Sequence, residues 1–207
     1  MTVEPGRAWP SYNRQMDGAE RRARLEALAG ERDPARKRLV ALGLVADRLR
    51  ESGLEPVLVG GAAVEFYTAG GYSTGDVDLA LAHGPETDAA FADLGFRKEG
   101  RFWVREDLDL LFEAPAPAGL PGETAPRTVV EIDGLVIVIL GIEDLILDRL
   151  RAWIHGTSEE DGRWARRLAL RHADRLDWGY LREKTAPVPA EARALAELER
   201  EANQGET

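Results

Sequence analysis

The chain contains no cysteine, which excludes disulfides, thiolate metal sites and thiol nucleophiles. It also lacks any apolar run long enough to span a bilayer; the most apolar stretch, residues 135–140, has the length of a strand. The first thirteen residues are polar and proline-broken, without the basic-then-apolar pattern of an export signal. A cytoplasmic protein with no membrane partner is the expectation. Histidine is sparse, and His83, His155 and His172 do not share ligand spacing, so no imidazole metal site is expected. There is no internal repeat and no low-complexity tract. Positive charge is in deficit: the net charge of −10 argues against a broad, generic nucleic-acid surface, because such binding depends on neutralising phosphates.

What is present is an ordinary globular composition, 44% hydrophobic and 31% charged over 207 residues. The acidity concentrates between residues 54 and 160, and the segments on either side, up to about residue 184, are net basic. The pattern divides the chain into an N-terminal arm with a short helix (1–32), a mixed α/β domain (33–140), a helical segment (141–186) and an acidic tail with helical periodicity (187–207). Asp33-Pro34 is a strong helix start, and Leu39, Leu42, Val45 and Leu49 then recur at helical spacing. Residues 56–59 read as a buried strand, 62–68 as a short helix and 76–81 as a strand with alternating faces. Strand-like runs follow at 101–104, 108–112, 128–132 and 136–140, with Asp133-Gly134 suited to a tight hairpin. Residues 114–126 read as a loop placed to flex over a site, and helices are expected at 142–154, 159–176 and 178–183. The fold class is α/β in the mixed α+β sense: a mixed sheet flanked by helices, plus C-terminal helices.

Asp76 and Asp78 stand two apart in DVDLAL, so a strand directs both side chains to one face while Val77, Leu79 and Leu81 point to the core. Aspartate is depleted in strands, and adjacent carboxylates repel. A divalent cation resolves that conflict; magnesium suits one or two carboxylates plus phosphate oxygens. Taken alone, the pair reads equally as a strand with one wet face. The preceding Gly60-Gly61 adds information, because it ends a strand and opens a helix whose N–H groups can face an anion.

The run VLVGGAAVEFYTAGGYSTGDVDLAL resembles the signature of the DNA polymerase beta-type nucleotidyltransferase superfamily: apolar strand, two small residues, helix, then Asp-apolar-Asp. It is most similar to small stand-alone bacterial members, including AbiEii-type toxin nucleotidyltransferases, in which a segment like IEDLILDRL follows the catalytic domain. The resemblance covers residues 57–181 and implies a nucleotidyltransferase fold over 33–140. It implies that Gly60 and Gly61 hold a nucleoside triphosphate and that Asp76 and Asp78 bind magnesium or manganese. A third carboxylate on a following strand is implied too. Asp109 in LDLLF is the first choice, Glu113 on the same expected face the second, and Asp107 the third. Ser73 and Thr74 are placed to bond phosphate or metal-bound water, or to cap the local turn. Arg149 stands where some relatives carry a lysine, and reads either as a phosphate contact or as a solvated charge; Asp161 lies near a later acidic position. The sequence departs from the family where Gly61-Ala62 replaces the common serine, where the glycine-to-aspartate spacing is long, and where Tyr72 takes the place of an arginine. The implied acceptor is RNA such as tRNA, a protein or a small molecule, with a toxin–antitoxin partner as a further implication. Arg163, Arg167 and Arg171 recur every four residues and read as a solvent face or an acceptor contact; the five tryptophans read as packing residues.

Overall fold

The structure, a computed structural model, describes residues 2–3, 16–115 and 126–204. Two expectations, the N-terminal arm and the loop at 114–126, lie largely outside the described residues, as does Trp9. Among the described residues, eight strands form one mixed sheet flanked by helices. None of those helices is long and apolar enough to cross a membrane.

In chain order the strands are β1 (Thr2–Val3), β2 (Val57–Val59), β3 (Val77–Ala80), β4 (Arg97–Glu99), β5 (Phe102–Arg105), β6 (Leu110–Glu113), β7 (Arg127–Ile132) and β8 (Leu135–Ile139). The helices are α1 (Gly18–Ala27), α2 (Pro34–Arg50), α3 (Gly60–Tyr67), α4 (Pro85–Asp93), α5 (Ile142–Gly156), α6 (Glu159–Arg171), α7 (Trp178–Thr185) and α8 (Pro189–Gln204). Across the sheet the strands run β1-β7-β8-β2-β3-β6-β5-β4. The centre is mixed: β2 runs antiparallel to β3 and parallel to β8, and β3 runs parallel to β6.

Local chemistry accounts for most of these elements. Asp33 caps α2 by accepting from the N–H groups of Ala35 and Arg36, as its place before Pro34 requires. β7 and β8 meet in a two-residue hairpin in which Asp133 and Gly134 both have positive φ, the conformation an Asp-Gly pair tolerates. β8 is buried along its whole length, whereas β4, carrying Arg97, Lys98 and Glu99, is an exposed, charged edge. That polarity hid β4 from pattern reading. Beneath β5 and β6, Phe91 stacks on Trp103 at 4.3 Å and meets Phe96 and Phe112 edge-on or tilted. This buried cluster anchors Phe112 on the core side of β6.

The second helical group begins with α5, which lies against α3. α6 packs so closely on α5 that a Cβ at Gly162 would stand 2.7 Å from the Trp153 ring. α6 ends at Arg171, earlier than its periodicity suggests; His172 leaves the helix to bond the Tyr67 carbonyl at 2.9 Å. Residues 189–204 form α8, with Leu195 and Leu198 buried against α5, α6 and α7. Trp103 is buried, and Trp153, Trp164 and Trp178 are partly buried against the core.

Candidate metal centre

The centre of the sheet determines how close the glycines come to the aspartates. Asp78 is the cross-strand partner of Val59, the last residue of β2, so the next residue, Gly60, passes directly over the Asp78 carboxylate. A Cβ at Gly60 would sit 2.0 Å from Asp78 Oδ2, and Gly60 has φ +60°; both features require glycine. The N–H of Gly61 donates to Asp78 Oδ2 over a long 3.4 Å. Val59 itself supplies no side-chain cap to α3, so Asp78 is the side chain that meets an N–H of this helix start among the described residues.

Asp76 immediately precedes β3, and Asp78 lies within it, flanked by the buried Val77 and Leu79. Thr74 Oγ1 donates to Asp76 Oδ1 at 2.5 Å, orienting that carboxylate. Parallel pairing of β3 with β6 sets Glu113 in register beside Asp78. Asp76, Asp78 and Glu113 each offer an oxygen, and the three oxygens lie within 4.8 Å of one another. Hard, anionic oxygens gathered this tightly match the donor set of magnesium or manganese. The electrostatics agree with the crowding. Burial, then the charge of Asp76 and, more weakly, of Glu113, pushes the Asp78 carboxyl up to about 6, against the opposing Gly61 N–H and the Arg149 charge.

Asp109 requires a correction. Residues 106–108 form a 3-10 turn rather than the start of a strand, and Asp109 follows in the left-handed conformation, φ 53°, exposed to solvent. β6 begins only at Leu110, so Asp109 does not share a strand face with Glu113 and is absent from the cluster. Asp107 bonds Arg105 at the surface. Of the three carboxylates weighed, Glu113 is the one brought to Asp76 and Asp78.

The other expected residues divide. Thr74 belongs to the site through Asp76, whereas Ser73 is exposed with no side-chain hydrogen bond among the described residues. Arg149 is near enough to lower the Asp78 carboxyl, yet its guanidinium is bound to Asp148 at 2.6 Å and Asp161 at 2.8 Å. It therefore ties α5 to α6 beside the site, and a phosphate would have to displace those partners. Tyr72 packs against Gly61, where a Cβ would meet its ring at 3.0 Å, and edge-on against Trp164 at 4.9 Å. Burial raises its phenol, with Glu160 next in effect. Arg163, Arg167 and Arg171 are exposed on α6, with Arg167 over the Trp164 ring.

Arg101 escaped the sequence reading. It sits in the two-residue turn between β4 and β5, and its Nε lies 3.0 Å from Glu113 Oε1. Gly100, between the polar run 97–99 and the apolar run 102–104, was the available signal for that hairpin.

No family model, curated protein or solved structure matches the chain.

Proposed function

We propose that the protein is a metal-dependent nucleotidyltransferase with the corresponding fold, moving a nucleoside monophosphate from a nucleoside triphosphate to an acceptor hydroxyl. The observation that carries this reading is the convergence of Asp76, Asp78 and Glu113 within 4.8 Å beside the helix start at Gly60-Gly61. Asp76, Asp78 and Glu113 would hold magnesium or manganese. When bound, such a cation supplies neutralisation of the triphosphate charge and polarisation of the reacting α-phosphate.

The chain's own residues supply the rest. The N–H groups opening α3 receive the triphosphate, and the missing side chains of Gly60 and Gly61 let that turn lie against Asp78, Thr74 and Tyr72. Thr74 keeps Asp76 in one orientation. Glu113, as third carboxylate, takes the proton of the acceptor hydroxyl as its oxygen attacks the α-phosphorus. The bond from that phosphorus to the α,β-bridging oxygen breaks, and pyrophosphate leaves with the electron pair. The acceptor class carried from the resemblance is RNA such as tRNA, a protein or a small molecule.

A second reading is a nucleotide-binding or toxin–antitoxin regulatory protein without turnover. It draws on the Arg101–Glu113 ion pair, which engages the third carboxylate. One assay separates the two. The protein is incubated with magnesium or manganese, each labelled nucleotide, and a panel of tRNA, protein and small-molecule acceptors. Label transfer that disappears in Asp78→Asn supports the transferase. Metal-dependent nucleotide stabilisation without transfer to any acceptor supports the regulator. Neither stabilisation nor transfer removes both.

A further inference from the structure

We propose that Arg101 is an exchangeable counter-ion: Glu113 gives it up for a divalent cation, and the released guanidinium then binds the phosphates of the substrate. This rests on the reading of Asp76, Asp78 and Glu113 as a metal centre and goes beyond it by giving a phosphate-binding role to a residue to which the resemblance assigns none.

The two partners of this ion pair are unequal. The Glu113 side chain is 8% exposed, so stripping it of a cation leaves a buried, uncompensated carboxylate next to Asp78. The Arg101 side chain is 63% exposed and returns to water at little cost. Glu113 therefore needs a cation, but not this one. A divalent ion shared by three carboxylates competes directly for the oxygen that Arg101 holds, and like charge drives the guanidinium off.

The geometry then keeps Arg101 over the site. Glu99 pairs with Phe102, closing β4 and β5 around Gly100 and Arg101, and Gly100 has φ +61°. Phe102 is in turn the cross-strand partner of Glu113, so the hairpin tip overhangs the end of β6. The guanidinium lies 5.0 Å from the Phe102 ring centroid, a contact independent of Glu113. Held at the hairpin tip, its planar fork matches a phosphate in two-point contact. Arg149, also near the centre, has both Asp148 and Asp161 as partners, whereas the one carboxylate paired with Arg101 among the described residues belongs to the site.

The test reads metal and phosphate binding separately. Mn2+ binding by the full chain is followed through the free-ion paramagnetic resonance signal, and inorganic tripolyphosphate binding by calorimetry in saturating Mn2+. Arg101→Gln removes the competitor and is expected to bind Mn2+ about fivefold more tightly. The same variant is expected to bind tripolyphosphate about tenfold more weakly. Arg101→Lys keeps the charge without the fork, so its Mn2+ affinity stays near that of the wild type while its tripolyphosphate affinity falls. Opposite signs in Arg101→Gln distinguish exchange from a structural role, which would weaken both. Unchanged or weaker Mn2+ binding in Arg101→Gln, or unchanged tripolyphosphate binding, overturns the inference alone when wild-type protein binds Mn2+. Failure of the wild-type chain to bind Mn2+ overturns the metal centre and this inference together.

Discussion

Glu113, the last residue of β6, stands in parallel register with Asp78 of β3, while Asp109, four residues earlier, is turned into solvent by a left-handed backbone. Carboxylates that local reading treats as interchangeable are separated by that register. Glu113→Gln is expected to weaken Mn2+ binding about tenfold or more, and Asp109→Asn to leave it unchanged. Titration of both variants with Mn2+ checks this; equal losses in the two would reject the assignment.

The Asp78 carboxyl, raised to about 6, sets a pH dependence of stability. A carboxyl raised in the folded state contributes stability below its unfolded pKa near 3.8, and that contribution is lost as pH rises through about 6. At about pH 7.5 the ionised Asp78 therefore burdens the fold, and Asp78→Asn should gain on the order of 1–2 kcal/mol after allowance for solvent screening. The gain should shrink below about pH 6 and vanish near pH 4, as read from urea denaturation across the range. Magnesium should stabilise the wild type at the higher pH and not the variant.

Gly60 gives a sharper test of the close approach. Gly60→Ala places a methyl group against the Asp78 carboxylate at a positive φ, so it should cost more than about 1 kcal/mol and also impair Mn2+ binding. Gly53 also has positive φ, but no atom lies within 4 Å of a Cβ built there. Gly53→Ala should therefore cost about 1 kcal/mol and leave Mn2+ binding intact. Thermal melts with and without Mn2+ separate the two positions.

Away from the site, Arg38 of α2 and Glu65 of α3 form a buried ion pair, and Arg38 Nε has no hydrogen-bond partner among the described residues. Removing one partner strands a buried charge, so Glu65→Ala is expected to lose about 3 kcal/mol or more. The double change Arg38→Met, Glu65→Leu should lose less than Glu65→Ala alone. A denaturation series in which the double variant is the least stable would contradict this.

Local chemistry made much of this molecule legible before its structure. The cap at Asp33-Pro34, the Asp133-Gly134 hairpin and the alternation around Asp78 each depend on residues close in sequence, and each appears in the fold. What stayed hidden depends on pairing between distant segments. The third carboxylate follows from the register of β6 on β3 and from a backbone reversal at Asp109 that shifts which residues share a face. Arg101 reaches Glu113 only because a short charged strand, unreadable by hydrophobic pattern, folds back as β4. Tyr72 and Trp164, far apart in the chain, meet only when α6 docks beside the glycine turn.

The position of β8 has a consequence for biogenesis. β2 carries the glycine turn, and its free edge is covered by β8, which is synthesised long after both β2 and the Glu113 strand. A nascent chain that has released residues 57–113 holds every carboxylate of the centre but leaves an apolar central strand unpaired on one side. Until residue 139 emerges, β2 lacks the β8 strand that pairs with it, and chaperone demand should peak in that interval of translation.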